Sequence, residues 1–198
     1  MKLFFKYFLY VFLFLIWSIS SSLAKEFEEV YLIEFGGIDI GKSFWKIKIE
    51  DNKYRISIKL KDKGFFSGLY SFNGVYEATG IIEGKNIVSQ KYKQLWETKR
   101  KKREVLINFN KGALKKLDLK PEEKSPRINY LEIKDHLDPL SSFLKILISK
   151  QSSKTVDGRR VYLMQTSEEK HGDNKETIKV SIKNFQNIWA DHKRNNFK

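Results

Sequence analysis

The sequence contains no cysteine among its 198 residues. This absence excludes disulfide bonds, thiol catalysis and cysteine-based metal sites. It also excludes the lipid-modified cysteine that anchors a bacterial lipoprotein. Without covalent cross-links the fold must be stabilised by a hydrophobic core, and a chain of this length is long enough to form one domain with a sizeable core.

Residue types that commonly bind metals or carry catalysis are few and scattered. The three histidines, His136, His171 and His192, are far apart in the chain, whereas a zinc site needs three or four ligands at suitable spacing. Ser141 and Ser142 lack the glycine-flanked turn of a nucleophile elbow. We therefore predict no metal site, no cofactor and no catalytic residue.

The first 24 residues have the organisation of a cleavable secretory signal peptide. Lys2 and Lys6 form a basic start, and an apolar run follows over residues 7–19. Ser22 and Ala24 are the small residues that a signal peptidase requires. A membrane-spanning helix needs about 20 apolar residues, so the shorter run favours cleavage over an uncleaved anchor. We predict export with cleavage after Ala24, and no other segment approaches spanning length.

The chain has few acidic residues relative to basic ones and carries a net charge of +14. Such a charge favours anionic partners, such as acidic lipid head groups or envelope glycolipids, and export argues against nucleic acid. An alternative is that the lysines simply solvate the outer faces of strands. The densest basic run is a candidate anionic contact, and it is equally typical of a solvated turn. It comprises Lys99, Arg100, Lys101, Lys102 and Arg103.

Alternation of apolar and polar residues predicts a mainly β fold. Asp51–Asn52 and Asn110–Gly112 have the composition of hairpin turns, and Gly36–Gly37 suggests a bulge or sharp bend. We predict a curled antiparallel sheet, an open or partial barrel, in a single domain over residues 25–198. The clearest strand patterns cover residues 45–50, 54–60, 105–109 and 178–182.

One short amphipathic helix is predicted to pack against the open face of the sheet. Asp138 is a suitable N-cap, and Pro139 suits the first turn. Leu140, Phe143, Leu144 and Leu147 then form one apolar stripe. The segments 121–125 and 170–175 are expected to be exposed loops.

Two further segments are candidates for ligand binding. The apolar, glycine-flanked segment 64–70 would line or gate a hydrophobic cavity if it were exposed; its candidate residues are Phe65, Phe66, Leu69 and Tyr70. Asp157–Gly158 is predicted to be a two-residue hairpin turn. Arg159 and Arg160 after it have the chemistry to bind a carboxylate or phosphate, although a structural ion pair is the simpler interpretation.

Several motifs resemble a bacterial envelope family known only as domain of unknown function 3108. They include residues 74–80, 91–93, 101–105 and 156–160, and the segment Asp138, Pro139, Leu140 and Ser141. The resemblance implies an exported, β-rich periplasmic protein of Gram-negative bacteria, with no established activity and with structural roles for Asp138–Ser141, Asp157 and Gly158. It also implies further strands, so the chain is expected to be a short member or a fragment.

Three functional hypotheses follow, in decreasing order of support. The first is a periplasmic envelope protein whose curled sheet binds a lipid or another apolar ligand. The second is a non-catalytic module that docks on another envelope protein through an apolar patch or an unpaired strand edge. The third is an enzyme acting on envelope polymers, which would require a cleft with two or more convergent polar groups, such as Asp135, His136 and Asp138.

Overall fold

The computed structural model describes residues 24–63, 71–171 and 175–190, with side chains described except at 168–176. The predicted signal peptide before Ala24 and the predicted gate residues Phe65, Phe66, Leu69 and Tyr70 lie outside the described residues. The elements in chain order are β1 (Lys25–Phe35), β2 (Ile38–Glu50), β3 (Lys53–Asp62), β4 (Phe72–Glu83), β5 (Asn86–Thr98), β6 (Lys102–Asn110), β7 (Ala113–Lys120), a 3₁₀ turn (Tyr130–Glu132), α1 (Pro139–Ser149), β8 (Ser153–Val156), β9 (Arg160–His171) and β10 (Lys175–Asn187).

The predicted mainly β fold is confirmed. Strands β1 to β7 form an antiparallel meander in sequence order, and β8, β9 and β10 form a second antiparallel sheet. Over the described residues the seven-stranded sheet does not close into a barrel, because β1 and β7 do not pair. In the same part of the chain no helix is long and apolar enough to cross a membrane.

The predicted hairpin turns are present, with one change of type. Asp51–Asn52 joins β2 to β3, and Lys111–Gly112 joins β6 to β7. Gly36–Gly37 is also a two-residue hairpin turn, between β1 and β2, and both glycines have positive φ. Positive φ at both central residues is the requirement of the type I′ turn, whose twist matches that of the paired strands. Both ends of the segment predicted as a loop at 170–175 are strand, since β9 continues to His171 and β10 begins at Lys175, and residues 172–174 lie outside the described residues.

The core lies on one face of the large sheet, covered by α1 and the second sheet. Ile56, Tyr92 and Ile107 are almost fully buried there, which explains the alternation in β3, β5 and β6. The second sheet packs closely: a Cβ on Gly158 would lie 2.6 Å from Cγ1 of Val105 in β6. Val156 from β8 completes this contact and is fully buried.

The helix begins as predicted, but the side of the helix that is buried differs from the predicted apolar stripe. The Oδ1 of Asp138 accepts hydrogen bonds from the backbone N–H groups of Leu140 and Ser141, both at 3.0 Å. Leu147, predicted to be part of the apolar stripe, is 50% exposed, whereas Ser142 is fully buried. The reason is that α1 also packs against β8, where the hydroxyl groups of Ser142 and Thr155 are 2.8 Å apart.

The turn predicted at Asp157–Gly158 is displaced by one residue. Val156 pairs with Val161, and the N–H of Asp157 donates to the carbonyl of Arg160. The central residues are therefore Gly158 and Arg159. The Oδ1 of Asp157 accepts from the backbone N–H groups of both Arg159 (2.9 Å) and Arg160 (2.7 Å), so the aspartate stabilises the turn from its flank.

Candidate functional site

An apolar cleft lies between α1 and the first three strands of the large sheet. Its volume is about 660 Å³, within the range of small-molecule pockets. Phe27 lies opposite Ile47 and Tyr31 lies opposite Ser43, and residues directly opposite each other in antiparallel strands place their side chains on the same face. The cleft is lined by Phe27, Tyr31, Ile33, Ser43, Trp45, Ile47, Leu60, Phe143 and Leu147.

Aromatic rings form the wall of the cleft from the sheet to the helix. The ring of Trp45 makes edge contacts with Tyr31 at 6.0 Å and with Phe143 at 5.3 Å between centroids. The indole N–H of Trp45 donates to the hydroxyl of Ser43 at 2.7 Å. The indole donor is therefore already satisfied, and the wall presents mainly apolar surface.

The mouth of the cleft leaves large apolar side chains in contact with solvent. Phe27, Tyr31 and Leu147 are 44%, 49% and 50% exposed. Neighbouring exposed apolar residues of this size mark interaction sites more often than ordinary surface. The arrangement suits a ligand that covers these side chains.

A buried polar network fixes the N-terminal end of α1 to the sheet. The Oδ2 of Asp138 accepts from the hydroxyl groups of Ser89 (2.8 Å) and Ser141. The hydroxyl of Tyr54 is 2.5 Å from that of Ser141. Asp138 and Ser141 are fully buried, so the network positions the helix above the sheet and offers no surface to a substrate.

Burial dominates the ionisation of this network. Removal from water raises the pKa of Asp138, while hydrogen bonds from Ser141, Ser89 and the backbone of Leu140 oppose the shift. Burial also raises the pKa of Tyr54, and the nearby charge of Asp138 adds to the effect. Asp138 and Tyr54 therefore serve as hydrogen-bonding partners inside the fold, where neither side chain faces solvent.

The two arginines proposed as ligand contacts lie away from the apolar cleft. The Nε of Arg159 is 2.8 Å from Oε1 of Glu123, and both side chains are about one-tenth exposed. Residues 121–125 are therefore not a wholly exposed loop, because Glu123 turns inward to this ion pair. The guanidinium of Arg160 lies 5.1 Å from the ring centroid of Phe185.

The basic run covers the connection between β5 and β6 and the first two residues of β6. The five residues Lys99 to Arg103 are all exposed. The turn is held by a hydrogen bond from the N–H of Thr98 to the carbonyl of Lys101. This is the solvated strand–turn–strand arrangement that the sequence also allowed, and all five charges remain accessible.

Only two of the three residues named for the enzyme hypothesis share a cleft, since Asp135 and His136 line one and Asp138 does not. Asp138 is fully buried, whereas Asp135 is exposed and His136 is half-buried. The imidazole Nδ1 of His136 instead contacts the carbonyl of Lys134 at 2.7 Å. Among the described residues no group of three acidic, histidine or cysteine side chains is placed to hold a metal ion.

Sequence reasoning missed most of the cleft. Phe27, Tyr31 and Ile33 lie at alternate positions of β1, which is a usable signal for one face of a strand. That signal is weak because Val30 and Leu32 are apolar on the other face. The contribution of Phe143 and Leu147 depends on the placement of α1, which the sequence pattern does not specify.

Comparison with known proteins supports the resemblance seen in the motifs. The family described as "Protein of unknown function (DUF3108)" matches residues 30–189. The match spans β1 to β10 and includes the Asp138 cap, the Asp157 turn and most of the cleft. Searches of curated proteins and of solved structures found no match. The chain belongs to the DUF3108 family.

Proposed function

We propose that the protein is an exported periplasmic envelope protein that binds a lipid or another apolar ligand in the cleft between α1 and strands β1 to β3. The observation that carries the proposal is the apolar character of the cleft, which has a volume of about 660 Å³. Nine residues line it, and Ser43 alone among them has a small polar side chain. Export is supported by the basic start, apolar run and small residues of the first 24 positions.

The half-exposed residues at the mouth support binding over simple core packing. Core side chains such as Ile56 and Tyr92 are almost completely buried in the same sheet. Phe27, Tyr31 and Leu147 instead keep about half of their surface in water. A bound apolar ligand would remove that surface from water, at about 25 cal/mol per Å².

A pair of neighbouring variants tests the proposal. Tyr31→Glu places a carboxylate inside the cleft, whereas Leu32→Glu places one on the opposite face of β1, opposite Lys42. The two residues are similarly exposed, at 49% and 55%. We expect Tyr31→Glu to weaken binding of the apolar fluorophore N-phenyl-1-naphthylamine about tenfold or more, because an unpaired charge in an apolar site is costly.

Leu32→Glu is expected to bind the fluorophore like the unmodified protein, with both variants keeping the native circular dichroism spectrum. Fluorescence titration measures the dissociation constants directly. Equal binding by the two variants would place the apolar site elsewhere and would contradict the proposal.

The outer edge of β1 favours docking to another envelope protein as the second candidate function. Within the described residues no strand pairs with this edge, and unpaired edges are templates for added strands. Glu26, Glu28, Glu29 and Glu34 make the strand acidic, which suits a basic extended segment. Such a partner would pair with the backbone of β1, so Leu32→Glu, which adds a negative charge to this acidic strand, would not weaken its binding.

A further inference from the structure

One row of the large sheet leads from the cleft to a basic residue. Tyr31, Ser43, Leu60, Gly74, Trp96 and Arg103 lie opposite one another in six successive strands. Directly opposite residues share a face of the sheet, so Arg103 is on the same face as the cleft. Three strand spacings separate it from Leu60, a distance of roughly 14 Å.

Aromatic rings cover the interval between the cleft and Arg103. A Cβ on Gly41, beside the cleft, would lie 2.9 Å from Cζ of Phe72. Phe72 stacks on Trp96, with ring centroids 5.6 Å apart and planes inclined by 13°. Trp96 lies directly opposite Arg103. Phe72 is only 8% exposed, whereas Trp96, which it supports, is partly exposed. The accessible apolar surface beside this arginine is therefore that of Trp96.

Arg103 and its basic neighbour Lys102 lie on opposite faces of β6 and differ in their ion-pair partners. Lys102 lies 3.5 Å from Glu104, and alternation along β6 places both on the face opposite to that of Arg103. Arg103 has no carboxylate within ion-pair distance among the described residues, and it is exposed. Arg100 and Lys101 add positive charge at the same end of the sheet.

We infer that the ligand of the cleft is an amphiphile with an anionic head group, and that Arg103 binds that head group. This inference rests on the proposed apolar site. The chain of the amphiphile occupies the cleft and passes over the partly exposed ring of Trp96. A guanidinium presents paired N–H donors that match a carboxylate or a phosphate, and the adjacent cations raise the local positive potential.

Quenching of tryptophan fluorescence by brominated chains tests the inference. The protein is purified from the periplasm of an expression host and freed of co-purified lipid. It is titrated with dibromostearic acid above the pKa of the acid, and with the corresponding neutral alcohol. Trp45 and Trp96 report contact with the chain, whereas Trp189 is buried in the core.

We expect the acid to bind about three- to tenfold more tightly than the alcohol at low salt, with the difference falling as salt is added. Arg103→Gln should remove most of the difference, and Lys102→Gln on the opposite face should retain it. Each substitution removes one exposed charge, and Lys102→Gln additionally removes an exposed ion pair with Glu104, which contributes little to stability. Tighter binding of octadecyl phosphate than of stearate would assign a phosphate head group, and the reverse order a carboxylate.

Two outcomes would overturn the inference in distinguishable ways. If acid and alcohol bind equally and Arg103→Gln changes neither, the apolar site stands and the role of Arg103 is wrong. If neither ligand quenches the tryptophans, the apolar site itself is wrong and the inference fails with it.

Discussion

Replacing Asp138 with alanine is expected to lower the free energy of unfolding by about 3–5 kcal/mol. The side chain accepts four hydrogen bonds, from two backbone N–H groups and from the hydroxyl groups of Ser89 and Ser141. Alanine removes the helix cap and leaves these buried donors without acceptors. The loss is large because Asp138 is fully buried and water cannot replace the carboxylate without opening the contact between α1 and the sheet.

Asp138→Asn is the matched control for this prediction. Its side-chain oxygen retains the cap to Leu140 and Ser141, and only the contacts to the two hydroxyl groups change. We expect about half the effect of the alanine variant. Urea unfolding, followed by circular dichroism, measures both values. A loss below about 1 kcal/mol for Asp138→Ala would show that the helix is not held by this network.

Gly80→Ala is expected to destabilise the protein by about 2–4 kcal/mol, because overpacking at this position involves backbone as well as side-chain atoms. A Cβ on Gly80 would lie 2.2 Å from the carbonyl oxygen of Val88 and 2.3 Å from the hydroxyl of Tyr54. Tyr54 is 2% exposed and cannot move aside without losing its contact with Ser141. Strands β4 and β5 would have to separate locally.

Thr79→Ala, on the opposite face of β4, provides the control and is expected to cost less than about 1 kcal/mol. Tyr54→Phe removes one of the three atoms that would lie within 3.0 Å of this Cβ, and it leaves the carbonyl oxygen of Val88 and the ring carbon Cζ. The double variant with Gly80→Ala should therefore lose less stability than the sum of the two single variants, since the residues are in contact. Strict additivity in urea unfolding would contradict the proposed clash.

The sequence predicted those parts of the fold whose physics is local. Alternation identified β3 and β6 because each has one face in the core and one in water. Aspartate and asparagine favour turns, so Asp51–Asn52 was recognisable as a turn, and both residues have positive φ in the structure. Asp138–Pro139 was likewise recognisable as the start of the helix. These signals depend on neighbours along the chain, so one sequence is sufficient to read them.

Features that depend on packing between distant segments were not predictable. Positions 80 and 158 require glycine because atoms of other strands would lie too close to a Cβ there. No local sequence pattern reveals such contacts. Glu123 lies in a polar segment that resembles an exposed loop, yet it pairs with Arg159. The cleft combines an edge strand with the partly exposed side of α1, and its position follows only from the tertiary arrangement.

The measurement that tests the central claim most directly is native mass spectrometry of the protein purified from the periplasm, combined with organic extraction of bound molecules. The account predicts a stoichiometric lipid or other apolar molecule, present in the unmodified protein and in Leu32→Glu, and depleted in Tyr31→Glu. A ligand-free mass for the unmodified protein, together with no binding of added amphiphiles, would contradict the claim and favour docking through the edge of β1.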